Sequence, residues 1–344
     1  MKCNNLKKDK YVLKFCIVVI FINIAKPATG LYNLPRSYFD LFRSKQIHTE
    51  WINLQWDKNI KYEGATRNFL HVLGSGYILN SLLNAYMKRF NLNDVAIYTT
   101  PNIMPEDNGK AISIIHDFFY LTDPAVSEFD KWKNRKVIAF IKKKKIGVIT
   151  NSEFVASESR RKNLRVISPL YPYINHIYNG EEKDRKMILS IGTNRIRKKP
   201  KNIVLFVNSL PEGWKFVRIG DDLNLVGKIN TKADYIYERY VEFPRLLSYY
   251  NKASYLYFPS EEEGIGLPMI EALFHNVAVI GNKDNKIFDE LKLNDSISIQ
   301  DINAPYIPDY PDLSSFQEFR SWFKERIEQQ FAKVKEEIDI MGKS

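Results

Sequence analysis

The stretch Pro-Ser-Glu-Glu-Glu-Gly-Ile-Gly-Leu-Pro-Met-Ile-Glu-Ala-Leu, residues 259–273, is the most informative part of this 344-residue chain. Two of its carboxylates, Glu263 and Glu271, lie eight positions apart. Between them, Gly264 and Gly266 allow the backbone to turn sharply and to approach a ligand closely, and the following proline suits the first turn of a helix. A helix N-terminus attracts anions through its unpaired N–H groups and the positive end of its dipole. The stretch therefore predicts a phosphate-binding turn, with Glu271 one turn into the helix and able to accept hydrogen bonds.

The segments around this stretch predict an α/β fold. Residues 247–258 have the pattern of a helix followed by a buried strand, and residues 277–282 form the next apolar run. Strand and helix patterns alternate along the chain, which predicts parallel sheets with helices on both faces. The predicted strands are 13–22, 95–99, 112–116, 147–150 and 165–168 in the first half, and 187–191, 215–219, 254–258, 277–280 and 296–299 in the second.

Chain length predicts two domains. A chain of 344 residues is too long for one typical core and suits two domains of about 150 to 180 residues each. We expect the break in the polar segment 172–186 and the ligand site between the domains, at the carboxyl ends of the strands. A long helix of mixed charge is predicted over residues 315–340.

Residues 259–273 and their flanks resemble the E-x7-E signature of retaining glycosyltransferases of family 4, which have the glycosyltransferase-B fold. The resemblance implies two Rossmann-like, doubly wound α/β domains that face each other across a cleft. Residues 1–175 would form the acceptor-side domain and residues 185–320 the sugar-nucleotide domain. A last helix, residues 321–344, would pack back on the first domain.

The same resemblance implies roles around the two glutamates. Glu271 would bind the ribose of a sugar nucleotide, and Glu263 would contact hydroxyls of the transferred sugar. The turn between them would bind the donor through Gly264, Ile265, Gly266 and Leu267. The backbone amides of the last two residues would contact the diphosphate. The alternative interpretation is an ordinary strand–turn–helix joint with glutamates on its surface.

A second motif begins at the strand predicted over residues 187–191. The strand runs into Gly192 and a basic loop, and a helical pattern starts at Ile203. In the family that this motif resembles, a glycine turn is followed by an Arg and a Lys that hold the diphosphate, which here implies Arg195 and Lys201. Fixed cations there would stabilise the charge of a leaving diphosphate without a metal. The spacing leaves two other lysines open for the role of Lys201: Lys198 and Lys199. A solvated basic loop is the other interpretation.

A third motif lies in the first half, where the strand at 112–116 ends in His116-Asp117 and Pro124 follows. This order resembles the strand-end His-Asp of the family, which implies that His116 supports the donor sugar and the departing phosphate. A structural histidine is the alternative. Farther along, Ser152 is predicted to cap a helix, since the sequence places no base near it.

The N-terminus has two interpretations. Residues 12–25 are strongly apolar but few, and they could be the apolar region of a signal peptide. We favour the first strand of the N-terminal sheet, because residues 27–30 and a helical pattern at 37–43 complete a strand–loop–helix unit. Gly30 would then be the position of close approach to a ligand, although Gly74-Ser75-Gly76 competes with it as a weak signal.

Composition bears on partners and metals. Two cysteines without a paired pattern indicate no disulfide framework, and five scattered histidines indicate no metal site. The net charge of +11 admits nucleic acid, an anionic membrane surface or a phosphorylated ligand. No nucleic-acid-binding motif is present, which favours membrane contact. The densest basic run, 142–145, lies at a predicted helix end, where cations are also favourable for local reasons. A cytoplasmic protein, peripheral on the membrane at most, is the simplest interpretation.

These expectations combine into a metal-independent, cofactor-free enzyme. It would transfer a sugar from a nucleoside-diphosphate sugar to a hydroxyl of a glycan, lipid-linked or protein acceptor, with retention of configuration. A sugar-nucleotide epimerase or a phosphorylase of the same fold remains an alternative. A catalytically silent binding or scaffold protein is another. The sequence has no readable code for the donor base, the sugar or the acceptor.

Overall fold

A computed structural model of the chain describes residues 17–23, 30–55, 67–70, 94–101, 110–282, 284–293, 299–300 and 307–343. Within these residues the strands form two sheets, and every strand pairing is parallel. Among the described residues, helices lie between many of the successive strands, which is the pattern of alternating βα units. The predicted α/β architecture with two Rossmann-like parallel sheets is confirmed.

The first sheet has seven strands in the order β3-β2-β1-β4-β5-β6-β7. Its central strands are short apolar runs that are buried along their whole length, which is the pattern of a sheet covered on both faces. The strands are β1 (Val19–Asn23), β2 (Thr49–Gln55), β3 (Arg67–Leu70), β4 (Val95–Tyr98), β5 (Ala111–Ile115), β6 (Gly147–Thr150) and β7 (Arg165–Pro169).

The helices of this first region are α1 (Gly30–Ser44), α2 (Phe119–Thr122), α3 (Glu128–Lys143) and α4 (Glu153–Arg161). Ser152 caps α4 as predicted, because its Oγ accepts the N–H of Val155 at 3.1 Å. Helix α1 begins at Gly30, seven residues before the predicted start at position 37. Pro35 lies inside this helix. A proline near the first turn removes only one intrahelical hydrogen bond, so the helix extends past it.

The second sheet has six strands in the order β10-β9-β8-β11-β12-β13. The strands are β8 (Asp184–Gly192), β9 (Lys215–Gly220), β10 (Asp234–Glu238), β11 (Ala253–Phe258), β12 (Ala278–Asn282) and β13 (Ile299–Gln300). The helices are α5 (Pro200–Ser209), α6 (Phe243–Lys252), α7 (Leu267–Phe274), α8 (Lys286–Glu290) and α9 (Leu313–Lys343).

The strand order of the second sheet positions the site. The chain runs from β8 outward to β9 and β10, and then returns to place β11 on the other side of β8. The connections after β8 and β11 therefore diverge from the same carboxyl edge. Ligands of open α/β sheets bind at such a point of divergence.

The chain divides into two compact units, residues 1–173 with 327–344, and residues 174–326. The last part of α9 belongs to the first unit. There Phe331 packs edge-on against Phe42, with ring centroids 5.0 Å apart, and Gln330 accepts the backbone N–H of Tyr171 at 2.9 Å. Several predicted features lie outside the described residues: positions 12–16 and 24–25 of the N-terminal apolar segment, residues 27–29, and Gly74-Ser75-Gly76.

Candidate active site

The candidate site is built from two loops at the carboxyl edge of the second sheet. One loop, residues 193–199, follows β8, and the other, residues 259–266, follows β11. The two loops are joined directly, because the backbone N–H of Glu261 donates to the carbonyl of Arg197 at 2.9 Å. The two loops, which are about 65 residues apart in the sequence, therefore form one surface.

The turn before α7 leaves a helix N-terminus open. Gly266 caps the helix with a positive φ of 71°, which favours glycine, and no side chain caps it. Pro268 lies in the first turn, and the helix starts at Leu267 as predicted. In the part of the chain that the structure describes, none of the amides of residues 264–267 donates a hydrogen bond. These N–H groups, together with the helix dipole, form an anion site.

Glu263 lies beside this turn and is paired with cations. Its side chain is 8% exposed, and its two carboxylate oxygens face two basic side chains. Lys198 Nζ donates to Oε1, and Arg197 Nη1 lies 3.6 Å from Oε2. The Lys198 ammonium also lies 5.3 Å from the ring centroid of Phe258. Two charge-assisted contacts hold this side chain in one orientation.

Glu271 lies one turn into α7 in a different environment. It is buried, and the Tyr250 hydroxyl donates to its Oε2 at 2.9 Å. Burial raises the pKa of Glu271 to about 7, and the hydrogen bond from Tyr250 opposes that rise only in part. The remaining oxygen of this carboxyl is suited to accept hydrogen bonds from hydroxyl groups of a ligand.

A buried arginine holds the start of the first loop. Arg218, on β9, donates from Nη1 to Ser190 Oγ at 3.0 Å and from Nη2 to the carbonyl of Gly192 at 2.7 Å. Gly220 must be glycine, because a Cβ there would lie 2.1 Å from the Gly192 carbonyl oxygen. The loop that carries the basic residues therefore leaves the sheet from a fixed point.

The basic residues of this loop, including the lysines that the sequence left as alternatives for one role, lie in different surroundings. Arg195 and Lys201 are both exposed, and Lys201 lies in the first turn of α5 because this helix starts at Pro200 and not at the predicted position 203. Lys199 caps that helix with a positive φ of 49° and pairs with Glu261. Of the three lysines 198, 199 and 201, Lys198 is the one that pairs with Glu263 in the described structure.

His116 belongs to the first unit, at the end of β5. It is 6% exposed, and its Nε2 lies 2.7 Å from the carbonyl oxygen of Thr99. Because only a protonated Nε2 can bond that oxygen, Nδ1 is the acceptor of the neutral ring. Burial lowers the pKa of His116 to about 4, so the imidazole is neutral at physiological pH. His116 lines a cavity together with Asp117, Tyr120 and Asn134.

Gly30 is the first residue of α1. Among the residues that the structure describes, no cluster of three or more His, Cys, Asp or Glu is arranged to hold a metal ion. Within the same residues, no helix is long and apolar enough to cross a bilayer.

Three residues of the site were not predicted: Arg197, Arg218 and Tyr250. Arg218 had a signal, since a single arginine in the apolar run of β9 requires buried acceptors. Arg197 lies two positions from Arg195, and the loop conformation alone decides which of the two reaches Glu263. Tyr250 had no signal, because a tyrosine in an amphipathic helix is common.

No protein-family model and no curated protein sequence matches the chain. Solved structures do match it over nearly its whole length. Sucrose-phosphate synthase from Thermosynechococcus elongatus is similar with a TM-score of 0.61 at 15% identity, covering 95% of this chain and 98% of that one. WaaG, a glycosyltransferase involved in lipopolysaccharide biosynthesis, gives 0.59 at 13% identity and covers 95% of both chains.

A third similar structure is Anabaena Alr3699/HepE in complex with UDP and glucose. Its TM-score is 0.60 at 12% identity, with 94% of this chain and 98% of that chain covered. These similarities, together with the two parallel sheets, show that the chain has the glycosyltransferase-B fold.

Proposed function

We propose that this chain is a glycosyltransferase that moves a sugar from a nucleoside-diphosphate sugar to an acceptor hydroxyl, with retention of configuration. The observation that carries the proposal is the meeting of the two loops at the divergence of β8 and β11. There a helix N-terminus with free amides lies beside the Glu263 pair with Lys198 and Arg197, and the buried acceptor Glu271 lies one turn farther along. The fold is shared with HepE, which was solved with UDP and glucose.

Each group has a place in donor binding. The diphosphate binds the amides before α7 and the cations of the basic loop, the ribose hydroxyls donate to Glu271, and Glu263 accepts hydrogen bonds from hydroxyls of the transferred sugar. Glu263 is well suited to this because its ion pairs fix its orientation before the donor arrives. The role of His116 toward the sugar is retained from the sequence resemblance, and its neutral ring can accept a hydroxyl proton in a hydrogen bond.

In the proposed reaction the bond between the anomeric carbon and the diphosphate oxygen breaks, and a bond from that carbon to the acceptor oxygen forms on the same face. The proton of the acceptor passes to an oxygen of the leaving phosphate. Negative charge increases on the diphosphate as it leaves, and amides and cations that are already in place stabilise it. The reaction therefore needs no metal ion and no cofactor.

The acceptor is a hydroxyl of a glycan, a lipid-linked sugar or a protein. The excess of basic residues in the chain favours an acceptor that carries phosphate, as lipid-linked sugars do. Sugar panels with and without a phosphate group would rank these classes.

A panel of UDP, GDP and ADP sugars tests the function, with free sugar and nucleoside diphosphate both measured as products. We expect slow release of both from one donor, unchanged by excess chelator, and a much lower rate from the Glu263→Gln variant. Conversion of the donor to a second sugar nucleotide would identify an epimerase. Tight nucleotide binding without any product would identify a silent binding protein, and metal-restorable loss in chelator would contradict the metal-free mechanism.

A further inference from the structure

Helix α3 of the first unit has an outward face that the proposed reaction does not use. Its inner face is formed by Lys131, Asn134, Val137 and Ile141, which are buried. Positions three and four apart lie on one side of a helix. The exposed residues opposite the inner face follow that spacing: Phe129, Trp132, Lys136, Ala139 and Lys143.

Two aromatic side chains stand at the start of this outward face. Phe129 is 70% exposed and Trp132 is 53% exposed, although such side chains are usually covered. Their rings stack on each other with centroids 6.0 Å apart, and the Lys136 ammonium lies 5.7 Å from the Trp132 ring centroid. The pair therefore forms one fixed apolar projection with a cation beside it.

The charge around this projection has one sign. Residues 128–145 contain eight Lys or Arg and only two carboxylates. Both carboxylates are in the first turn and are already engaged, because Glu128 bonds Lys131 at 2.7 Å and Asp130 accepts the Ser127 hydroxyl at 2.6 Å. The outward face itself carries no carboxylate, and four consecutive lysines, 142–145, continue it at its far end.

We propose that the outward face of α3 docks on an anionic lipid bilayer, with Phe129 and Trp132 in the headgroup region and the lysines facing lipid phosphates. Amphipathic helices with aromatics beside cations lie in the plane of the interface, and tryptophan is favoured at headgroup depth. Sixteen helical residues span about 24 Å, which is long enough for cations along the face to meet several lipid headgroups. This surface lies in the first unit, so the inference does not depend on the donor site of the second.

Sedimentation with vesicles of phosphatidylcholine, with and without phosphatidylglycerol, tests the proposal. The wild-type chain should sediment only with the anionic vesicles, and less as salt rises. Phe129→Ser with Trp132→Ser should lower the partition coefficient about tenfold. Lys136→Gln with Lys143→Gln should lower it by about fivefold for each lysine.

Two matched controls are available in other parts of the chain. Leu205, on α5, is 68% exposed and matches the aromatics, and Lys324 with Lys333 on α9 are exposed and match the lysines. Leu205→Ser and Lys324→Gln with Lys333→Gln should sediment as the wild type does. Equal loss in control and test variants would show a general effect of charge or apolarity and overturn the proposal.

Depth-dependent quenching by brominated lipid gives a second measurement that does not depend on lost binding. Trp132→Phe keeps an aromatic side chain, so this variant should still bind vesicles while most of the quenching disappears. Quenching that persists in Trp132→Phe would place another tryptophan in the bilayer and overturn the proposal. The proposal would also be overturned if the wild type bound no vesicles. It would be overturned as well if salt released the wild type while Phe129→Ser with Trp132→Ser bound vesicles as strongly as the wild type does.

Discussion

Glu263 and Glu271 occupy neighbouring regions of the same site, and both are almost fully buried, yet their environments are opposite. Glu263, in the loop, faces the cations of Lys198 and Arg197. Glu271, in the helix, has a hydrogen bond from the neutral Tyr250 hydroxyl, and burial raises its pKa to about 7. The comparison teaches that equal burial does not imply equal chemistry. A carboxylate held by cations is suited to position a reacting group, whereas a carboxyl that is poorly solvated gains most from ligand hydroxyls that donate to it.

The largest difference should appear in turnover. Glu263→Gln removes a charged group that we place on the transferred sugar, and loss of one such preorganised group costs about 100-fold in kcat. Glu271→Gln should mainly weaken nucleotide binding and leave kcat within about tenfold, because the ribose contact is similar before and during reaction. Donor hydrolysis measured at saturating and at limiting donor separates the two effects. Equal effects of both variants on kcat would remove the distinction.

Stability should respond to the same two substitutions with opposite signs. The folded pKa of Glu271 is raised above its unfolded value of 4.5 to about 7. The stability that its protonated form contributes is therefore fully present below pH 4.5 and is lost as pH rises through about 7. Glu271→Gln should therefore be more stable than wild type by up to about 3 kcal/mol near pH 8, and equal to it near pH 4. Glu263→Gln should be less stable by about 1 to 3 kcal/mol, because Lys198 and Arg197 lose their partner. Denaturant unfolding at several pH values measures both, and a Glu271→Gln gain that does not depend on pH would rule out ionisation as its cause.

Much of the second sheet could be predicted from the sequence because its signals are local. The apolar run of β11, the glycine at position 266 and the proline at 268 are each visible in the sequence. They specify the buried strand, the turn with its positive φ and the first helical turn, respectively. Strands β2, β3 and β10 were not predicted. In β2, Asn53 is buried and accepts from Asn23 and Trp51 at 2.8 and 2.9 Å, so a polar residue that argues against a buried strand is satisfied only by tertiary neighbours.

The choice among the lysines of the basic loop also could not be predicted, because it depends on the loop conformation and not on the local sequence. A short 3-10 turn at residues 196–198 and the positive φ of Lys199 bring Lys198 to Glu263. No glycine marks that left-handed position, so spacing alone could not separate Lys198 from Lys201. The places of the two glutamates in the strand–turn–helix unit were predictable from the local sequence, whereas the side chains that contact them were not.

The lysine comparison can be sharpened by binding. Lys198→Met should weaken nucleoside diphosphate binding by about tenfold, since it removes a cation beside the free amides and also leaves Glu263 with less neutralising charge. Lys201→Met should change affinity less, because this exposed side chain is screened by solvent. Isothermal calorimetry with nucleoside diphosphate measures both, with exposed Lys333→Met as the control. A larger loss for Lys201→Met would return the diphosphate contact to the residue that the sequence resemblance implied.

The smallest expected effect concerns the hydroxyl that distinguishes the Glu271 environment. The hydrogen bond from Tyr250 lowers the pKa of Glu271 against the rise caused by burial, so Tyr250→Phe should raise that pKa further. Nucleotide binding needs the ionised carboxylate as an acceptor, and its affinity should therefore increase with pH through about 7 in the wild type and at a higher pH in the variant. At neutral pH the variant should bind about 1 kcal/mol more weakly, with little difference near pH 9. Calorimetry across this range measures the shift, with Glu271→Gln as the baseline that isolates titration of the phosphate itself. A uniform loss at every pH would assign Tyr250 a packing role, and the contrast between the two glutamates would then rest on the cations of Glu263 alone.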